Sequence, residues 1–175
     1  DPLEQWIVNL TMHEVGHTLA LIHNFIASYQ YGPNEIHDVS ITGGSTTSSV
    51  MDYDPINIAP PGIKQGKYFS VAPGDYDIWA IEFGYKPELE GEEREKHLAK
   101  SIEQKYLWHW EDIDPRFATW DLSNDPIAYA KGRFEVVDKK ISELGEIFNE
   151  QINKTNKFSC RFKKIKKRRF KTSFK

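Results

Sequence analysis

Two histidines and a glutamate stand close together in His13-Glu14-Val15-Gly16-His17, and a third histidine, His23, follows six residues later. On a helix, residues four apart lie one turn above each other and about 40° apart in projection, so both imidazoles can reach one ion. Glu14 points to the side of that face, where a carboxylate can take a proton from a water at the ion without being a ligand. His23 would lie about 240° round a continuing helix. It joins the same metal only if the helix ends near Ala20 and the chain turns back sharply. Three histidines with an open fourth position make a hydrolytic site, whereas a structural site would be closed. Neutral imidazoles favour Zn2+, although nickel or cobalt fits the same geometry. Chance gives this pattern with a probability on the order of 10⁻³, so ordinary helix histidines, or a metal site without catalysis, are the weaker readings.

The elements that must position these groups are mostly helical. Trp6, Ile7, Leu10, Val15 and Leu19 fall at mixed helical spacings, with Pro2 where a first-turn proline is tolerated. Residues 24–73 are rich in Gly, Pro, Ser, Thr and Asn and read as largely irregular chain, long enough to suggest a functional role. A short helix is predicted over Asp75–Phe83, stopped by a left-handed cap at Gly84, and a charged helix over Glu92–Leu107. Asp125-Pro126 reads as an N-cap followed by proline at the first helical position. From there Ile127, Ala130, Phe134, Val137, Ile141, Leu144 and Phe148 alternate at spacings of three and four, which predicts a helix over 126–148. That helix either packs on the domain or meets a coiled-coil partner. Few strand signals are present.

The chain has 175 residues, 39% of them hydrophobic, which suits one domain or slightly more. A single cysteine, Cys160, excludes an internal disulfide framework and a cysteine-based zinc finger. No apolar run reaches the roughly 20 residues that span a membrane, and no secretion leader is visible. The net charge of −3 hides an asymmetry: residues 154–175 carry eleven basic side chains and no acidic one, leaving −14 on residues 1–153. The basic tail is expected to be a solvated, disordered end. Its interleaved Phe158, Phe162, Ile165, Phe170 and Phe174 leave an anionic surface or nucleic acid as the alternative. With so acidic a body, no nucleic-acid partner is expected.

The histidine pattern, followed by Ser49-Val50-Met51-Asp52-Tyr53 with Met51 twenty-eight residues after His23, resembles the metzincin clan of zinc endopeptidases. The strings His13–Phe25, Ser49–Tyr53, Asn57–Pro60, Lys64–Gln65, Tyr76–Pro87 and Trp120–Lys131 are similar to bacterial extracytoplasmic zinc metalloproteases with a metzincin-type catalytic domain. The likeness covers about residues 1–145. It implies zinc held by His13, His17 and His23, and Glu14 as general base. It implies Met51 as the floor of a Met-turn, and Tyr53 as an oxyanion donor, which a phenolic O–H can be. It implies an α+β protease, of which this chain is mainly the helical C-terminal part, with polypeptide substrates and a secreted or otherwise extracytoplasmic location. The sheet-bearing N-terminal subdomain would lie upstream, so the 175-residue piece alone should be weakly active or inactive. The competing reading is a non-catalytic zinc-binding or protein-interaction module built around the heptad helix.

One departure stands out. The clan has Gly where this chain has Ala20, at a turn that needs a left-handed backbone. The turn is expected to survive with strain; otherwise the helix would run on and displace His23. Asn24 reads as a turn residue or a hydrogen-bonding neighbour of the site. His37 and His97 lack partners at ligand spacing, and His109, between Trp108 and Trp110, reads as part of an aromatic cluster. Asp112, Asp114, Asp121 and Asp125 could offer oxygens to calcium but lack a regular loop spacing, and caps and turns account for Asp121 and Asp125.

Overall fold

The computed structural model describes residues 1–103, 106–108 and 114–172, with side chains as far as residue 154. The chain divides into two compact units, 1–134 and 135–175. Among the described residues there are five α-helices and two single 3₁₀ turns, and no strand.

Helix α1 (Pro2–Thr18) begins with the Asp1 side chain accepting the Leu3 N–H at 2.9 Å, and proline occupies the first turn where no N–H is needed. Residues 19–74 then loop beneath it, broken only by turns at Ala27–Gln30 and Glu35–His37 and by the one-turn helix α2 (Val39–Thr42). Helix α3 (Asp75–Tyr85) does not stop at Gly84 as the sequence suggests. Gly84 is helical, and the helix ends because Lys86 precedes Pro87 and is extended, with ψ of 109°. Helix α4 (Gly91–Glu103) is likewise shorter than the predicted Glu92–Leu107, with the Tyr106 N–H closing on the Ser101 carbonyl. It docks on α3 through His97, which is buried and lies flat on Trp79 at 5.6 Å with 4° between the rings. Trp79 Nε1 donates to the His97 carbonyl, and the Arg94 guanidinium stands 4.2 Å above the Phe83 ring.

Helix α5 (Pro126–Thr172) starts in the first unit, capped by Asp125 accepting the Ala128 N–H at 2.9 Å, and continues through the second. It does not end near Phe148. Residues 146–172 contain neither Gly nor Pro and are rich in Lys and Arg, which are good helix formers. Ile127, Phe134, Val137, Ile141, Leu144 and Phe148 are all exposed, so the heptad face is not buried.

The first unit's interior is more polar than its composition suggests. A small apolar cluster of Tyr31, Ile36 and Leu122, with Tyr129 against it, lies beside a completely buried run, Ser45–Ser49. Buried hydroxyls and amides must find partners, and these do. Thr46 Oγ1 donates to Asp54 at 2.7 Å, Thr47 Oγ1 to the Ser49 carbonyl at 2.7 Å, and the Ser48 N–H to the Ala27 carbonyl at 3.1 Å. Asp77, in the first turn of α3, ties this run to the helix by accepting from Ser49 Oγ and from the Val50 and Gly74 N–H groups. Gly74 must be glycine, since a Cβ there would lie 2.0 Å from the Ser48 carbonyl oxygen.

Asp77→Ala strands three donors in a dry environment, each loss costing about 1–3 kcal/mol. We expect a fall in stability of about 3 kcal/mol or more, read by urea denaturation. A loss below about 1 kcal/mol would show that the clamp is dispensable.

Candidate metal centre

Helix α1 turns its polar side inward. Gln5 accepts the Tyr68 N–H at 2.7 Å, and Asn9 donates to Asp54 at 3.3 Å. His13, the next residue along this four-residue ladder, is buried with Nδ1 2.8 Å from the Val50 carbonyl oxygen. A carbonyl only accepts, so Nδ1 carries the proton and Nε2 keeps its lone pair for a ligand role. The same logic orients His17, whose Nδ1 lies 3.1 Å from the Leu21 carbonyl oxygen. Leu3, Trp6, Ile7 and Leu10 lie on the exposed sides of the same helix.

His23 arrives by the turn that the sequence left in question. Helix α1 ends at Thr18, and Ala20 adopts φ of +60°. The Ala20 N–H reaches the His17 carbonyl at 3.1 Å and the Leu21 N–H the Gly16 carbonyl at 3.0 Å, the paired bonds of a Schellman cap. The chain therefore reverses with alanine in a glycine conformation. The helix does not run on, and His23 comes back over α1. Ring centroids are 4.7 Å apart for His13–His17, 5.2 Å for His13–His23 and 4.8 Å for His17–His23. One ligand atom from each lies within 4.8 Å of the others, and this is the one such metal-competent group among the described residues. The three donors fit a zinc ion. Burial lowers the His23 pKa, and the neighbouring His13 and His17 lower it further, with Glu14 opposing them.

Met51 is completely buried beneath the helix, and Gly16 leaves room for it: a Cβ at residue 16 would lie 2.4 Å from the Met51 sulfur. Glycine inside a helix costs about 1 kcal/mol relative to alanine, and close packing over Met51 is the reason for it here. Asn24 is more than a turn residue. Its N–H donates to the Met51 carbonyl at 3.0 Å and its Nδ2 to the Leu107 carbonyl at 3.0 Å, so it fastens the segment after His23 to the Met-turn.

Tyr53 Oη lies 2.9 Å from His23 Nε2, and its ring is 5.4 Å from His13. Asp52 fixes the backbone on either side, accepting the Ser28 N–H at 2.8 Å and the Tyr53 N–H at 2.7 Å. Burial, with the nearby Asp54 charge, pushes the Asp52 pKa well above the usual carboxylate range. Glu14 is exposed and, with His13 and Tyr53, borders a cleft of about 450 Å³.

The remaining candidates fall elsewhere. His37 is buried away from the triad and its pKa is lowered by burial, while His97 is committed to Trp79. Asp114 binds Arg116 at 2.6 Å, Asp121 is half-buried with its pKa raised by burial, and Asp125 caps α5. His109, Trp110 and Asp112 lie outside the described residues. Reading the sequence missed Gln5, Asn9 and Asp77. The spacing Gly74-x-x-Asp77, an N-cap glycine followed by a third-position carboxylate, was the available signal for Asp77.

The strained turn is testable without any ligand. Ala20→Gly removes a left-handed penalty of about 1–2 kcal/mol and adds about 0.4–1 kcal/mol of unfolded-state entropy. The net expectation is a gain of about 0.5–1 kcal/mol in denaturation, and a loss would contradict the left-handed turn.

The profile of a protein family described as Met-zincin matches residues 2–171. No curated protein and no solved structure gives a significant match. With nearly the whole length matched, and with a histidine triad over a buried methionine, the chain belongs to the Met-zincin family.

Proposed function

We propose that this chain carries the catalytic centre of a zinc-dependent metalloendopeptidase. The observation that carries the reading is the convergence of His13, His17 and His23 within 4.8 Å, beside Glu14 and Tyr53. Backbone carbonyls aim the first two imidazoles, as a metal site requires of its outer partners. Zinc held there would polarise a peptide carbonyl and make an attacking water more acidic. Glu14 accepts the proton from that water and passes it to the leaving amine. Tyr53 turns its O–H from His23 to the oxygen that gains charge as the carbonyl is attacked. Met51 and the Asp77 clamp keep the floor of the site still while this happens.

The whole protein, on this reading, is an α+β protease acting on polypeptides outside the cytoplasm, an expectation that rests on the resemblance to extracytoplasmic metalloproteases. No helix among the described residues is long and apolar enough to cross a membrane. The exposed Leu3 and Ile7, outside the cleft beside Glu14, support a covering subdomain supplied from upstream. A chain extended upstream would then outperform this one at equal zinc occupancy. The exposed heptad face of α5 favours a second reading, a zinc-binding interaction module.

Two experiments separate these readings. Metal analysis should find about one zinc per chain, lost in His13→Ala and His17→Ala. Zinc affinity should decline as pH drops below about 6.5, because protons then compete for the imidazoles. The lowered His23 pKa acts in the same sense on the metal-free fold: its contribution is present above pH 6.5 and lost as pH falls through the folded value. Zinc-free folded protein would end the proposal. For class, Glu14→Ala should abolish cleavage of unfolded protein substrates while keeping zinc, and Tyr53→Phe should slow it roughly 10²-fold. Absence of any cleavage, together with capture of a partner through α5, would favour the module.

A further inference from the structure

Trp120 is the least comfortable residue in the first unit. Its backbone has φ of +67°, a region that bulky side chains avoid, and its ring is 68% exposed. Neither fact helps folding. An indole left in water contributes little burial, and a glycine would adopt this conformation without strain. Strain of this kind persists only where the surroundings enforce it, and here they do. The Trp120 N–H donates to the Tyr53 carbonyl at 2.9 Å, and just beyond it Leu122 is completely buried. The Ser123 N–H then bonds to the Ser28 carbonyl at 3.0 Å, and the Asn124 N–H to the Tyr31 carbonyl at 2.8 Å. These bonds tie residue 120 to the segment that carries Tyr53 and residues 123–124 to the turn at residues 28–31. The Trp120 ring stands 6.1 Å from the Tyr53 ring.

The exposed ring does not face empty solvent. With Trp6, Leu10, Ile56 and Phe69 it lines the cleft of about 450 Å³ that Glu14, His13 and Tyr53 also border. That volume exceeds any single side chain, and Asn9, Asp52 and Asp54 join its lining, so apolar walls are combined with polar groups as in a ligand pocket. A group seated there would lie within reach of the residues assigned to the chemistry.

We propose that Trp120 is a specificity-determining residue: it is held in a strained backbone so that its indole packs against an aromatic or long aliphatic side chain of the polypeptide, next to the bond being cut. This rests on the peptidase reading above and names the substrate class that its site takes. The strain offsets part of the fold's stability, and the gain appears only when the cleft is filled. Tyr53 shares a backbone hydrogen bond with the same residue, so a seated side chain also settles the strand of chain from which the phenol projects.

The test compares peptides that differ at the residues flanking the scissile bond, Phe or Leu against Ala. In the zinc-loaded protein, Trp120→Ala and Trp120→Gly should each reduce the Phe-over-Ala ratio of kcat/KM by tenfold or more, the range that buried apolar contacts discriminate. Trp120→Phe should keep most of the ratio. Trp120→Gly should melt no lower than the parent, since it relieves the strained φ, and this separates a lost contact from a damaged fold. Binding is read separately by calorimetry in the Glu14→Gln background, where turnover is not needed. There Trp120→Gly should weaken the Phe peptide at least tenfold more than the Ala peptide. If neither this chain nor one extended upstream cleaves any peptide, the peptidase reading fails while the binding arm still decides the role of Trp120. Equal losses on both peptides, or an unchanged ratio in either arm, would overturn the assignment.

Discussion

The hydrogen bond from His13 to the Val50 carbonyl is the contact on which the rest of the site depends. It fixes the tautomer and angle of the most buried of the three histidines, and it couples the helix to a turn thirty-seven residues away. Each partner is held from its far side. Val50 is gripped by the Asp77 carboxylate through its own N–H, and His13 is the inner end of a ladder that begins with Gln5 and Asn9. With Met51 seated under Gly16, the helix can neither roll nor lift without breaking a buried polar contact. Rigidity of this kind suits a metal centre, because ligand atoms a fraction of an ångström out of place cost affinity.

Building the floor from Ser45–Ser49 rather than from aliphatic residues has a cost. Buried hydroxyls and carboxylates contribute little net stability even when fully paired, and an unmade partner is expensive. The carboxylates show the tension. Burial drives Asp54 and Asp77 upward from the ordinary range, while Thr46 and Asn9 at the first, and Ser49, Val50 and Gly74 at the second, favour the charged form. A carboxylate whose folded pKa is raised destabilises the fold progressively as pH climbs from the unfolded value through the folded one. In exchange, the hydrogen bonds are directional. They specify one path for the loop where an apolar core would tolerate several.

Strain is placed with the same economy. Three non-glycine residues have positive φ: Ala20, Trp120 and Ser123 among the described residues. Ala20 makes the reversal that returns His23, Trp120 bonds to the Tyr53 carbonyl and Ser123 to the Ser28 carbonyl. All three lie on segments that bring a site side chain into position. None lies within a helix, where the backbone would not accept it.

The sequence by itself marked the histidines as a candidate metal site. The spacing of His13, Glu14 and His17 needs only helical periodicity to converge, and the Ser49–Tyr53 string marked the second half of the site. The helix start at Asp125-Pro126 was legible because capping is a local matter. Helix ends were less so: Gly84 can stop a helix or continue one, and the extended residue before Pro87 decided between them. Whether His23 joins the triad was a tertiary question, since Ala20 takes a left-handed conformation only when bonds at both ends outweigh its strain. The inward polar face of α1, the buried serines and threonines, and the Asp77 clamp were hidden for one physical reason. Hydrophobic patterning marks what water expels, whereas a polar core is defined by partners far apart in the chain, and only the folded structure brings those together.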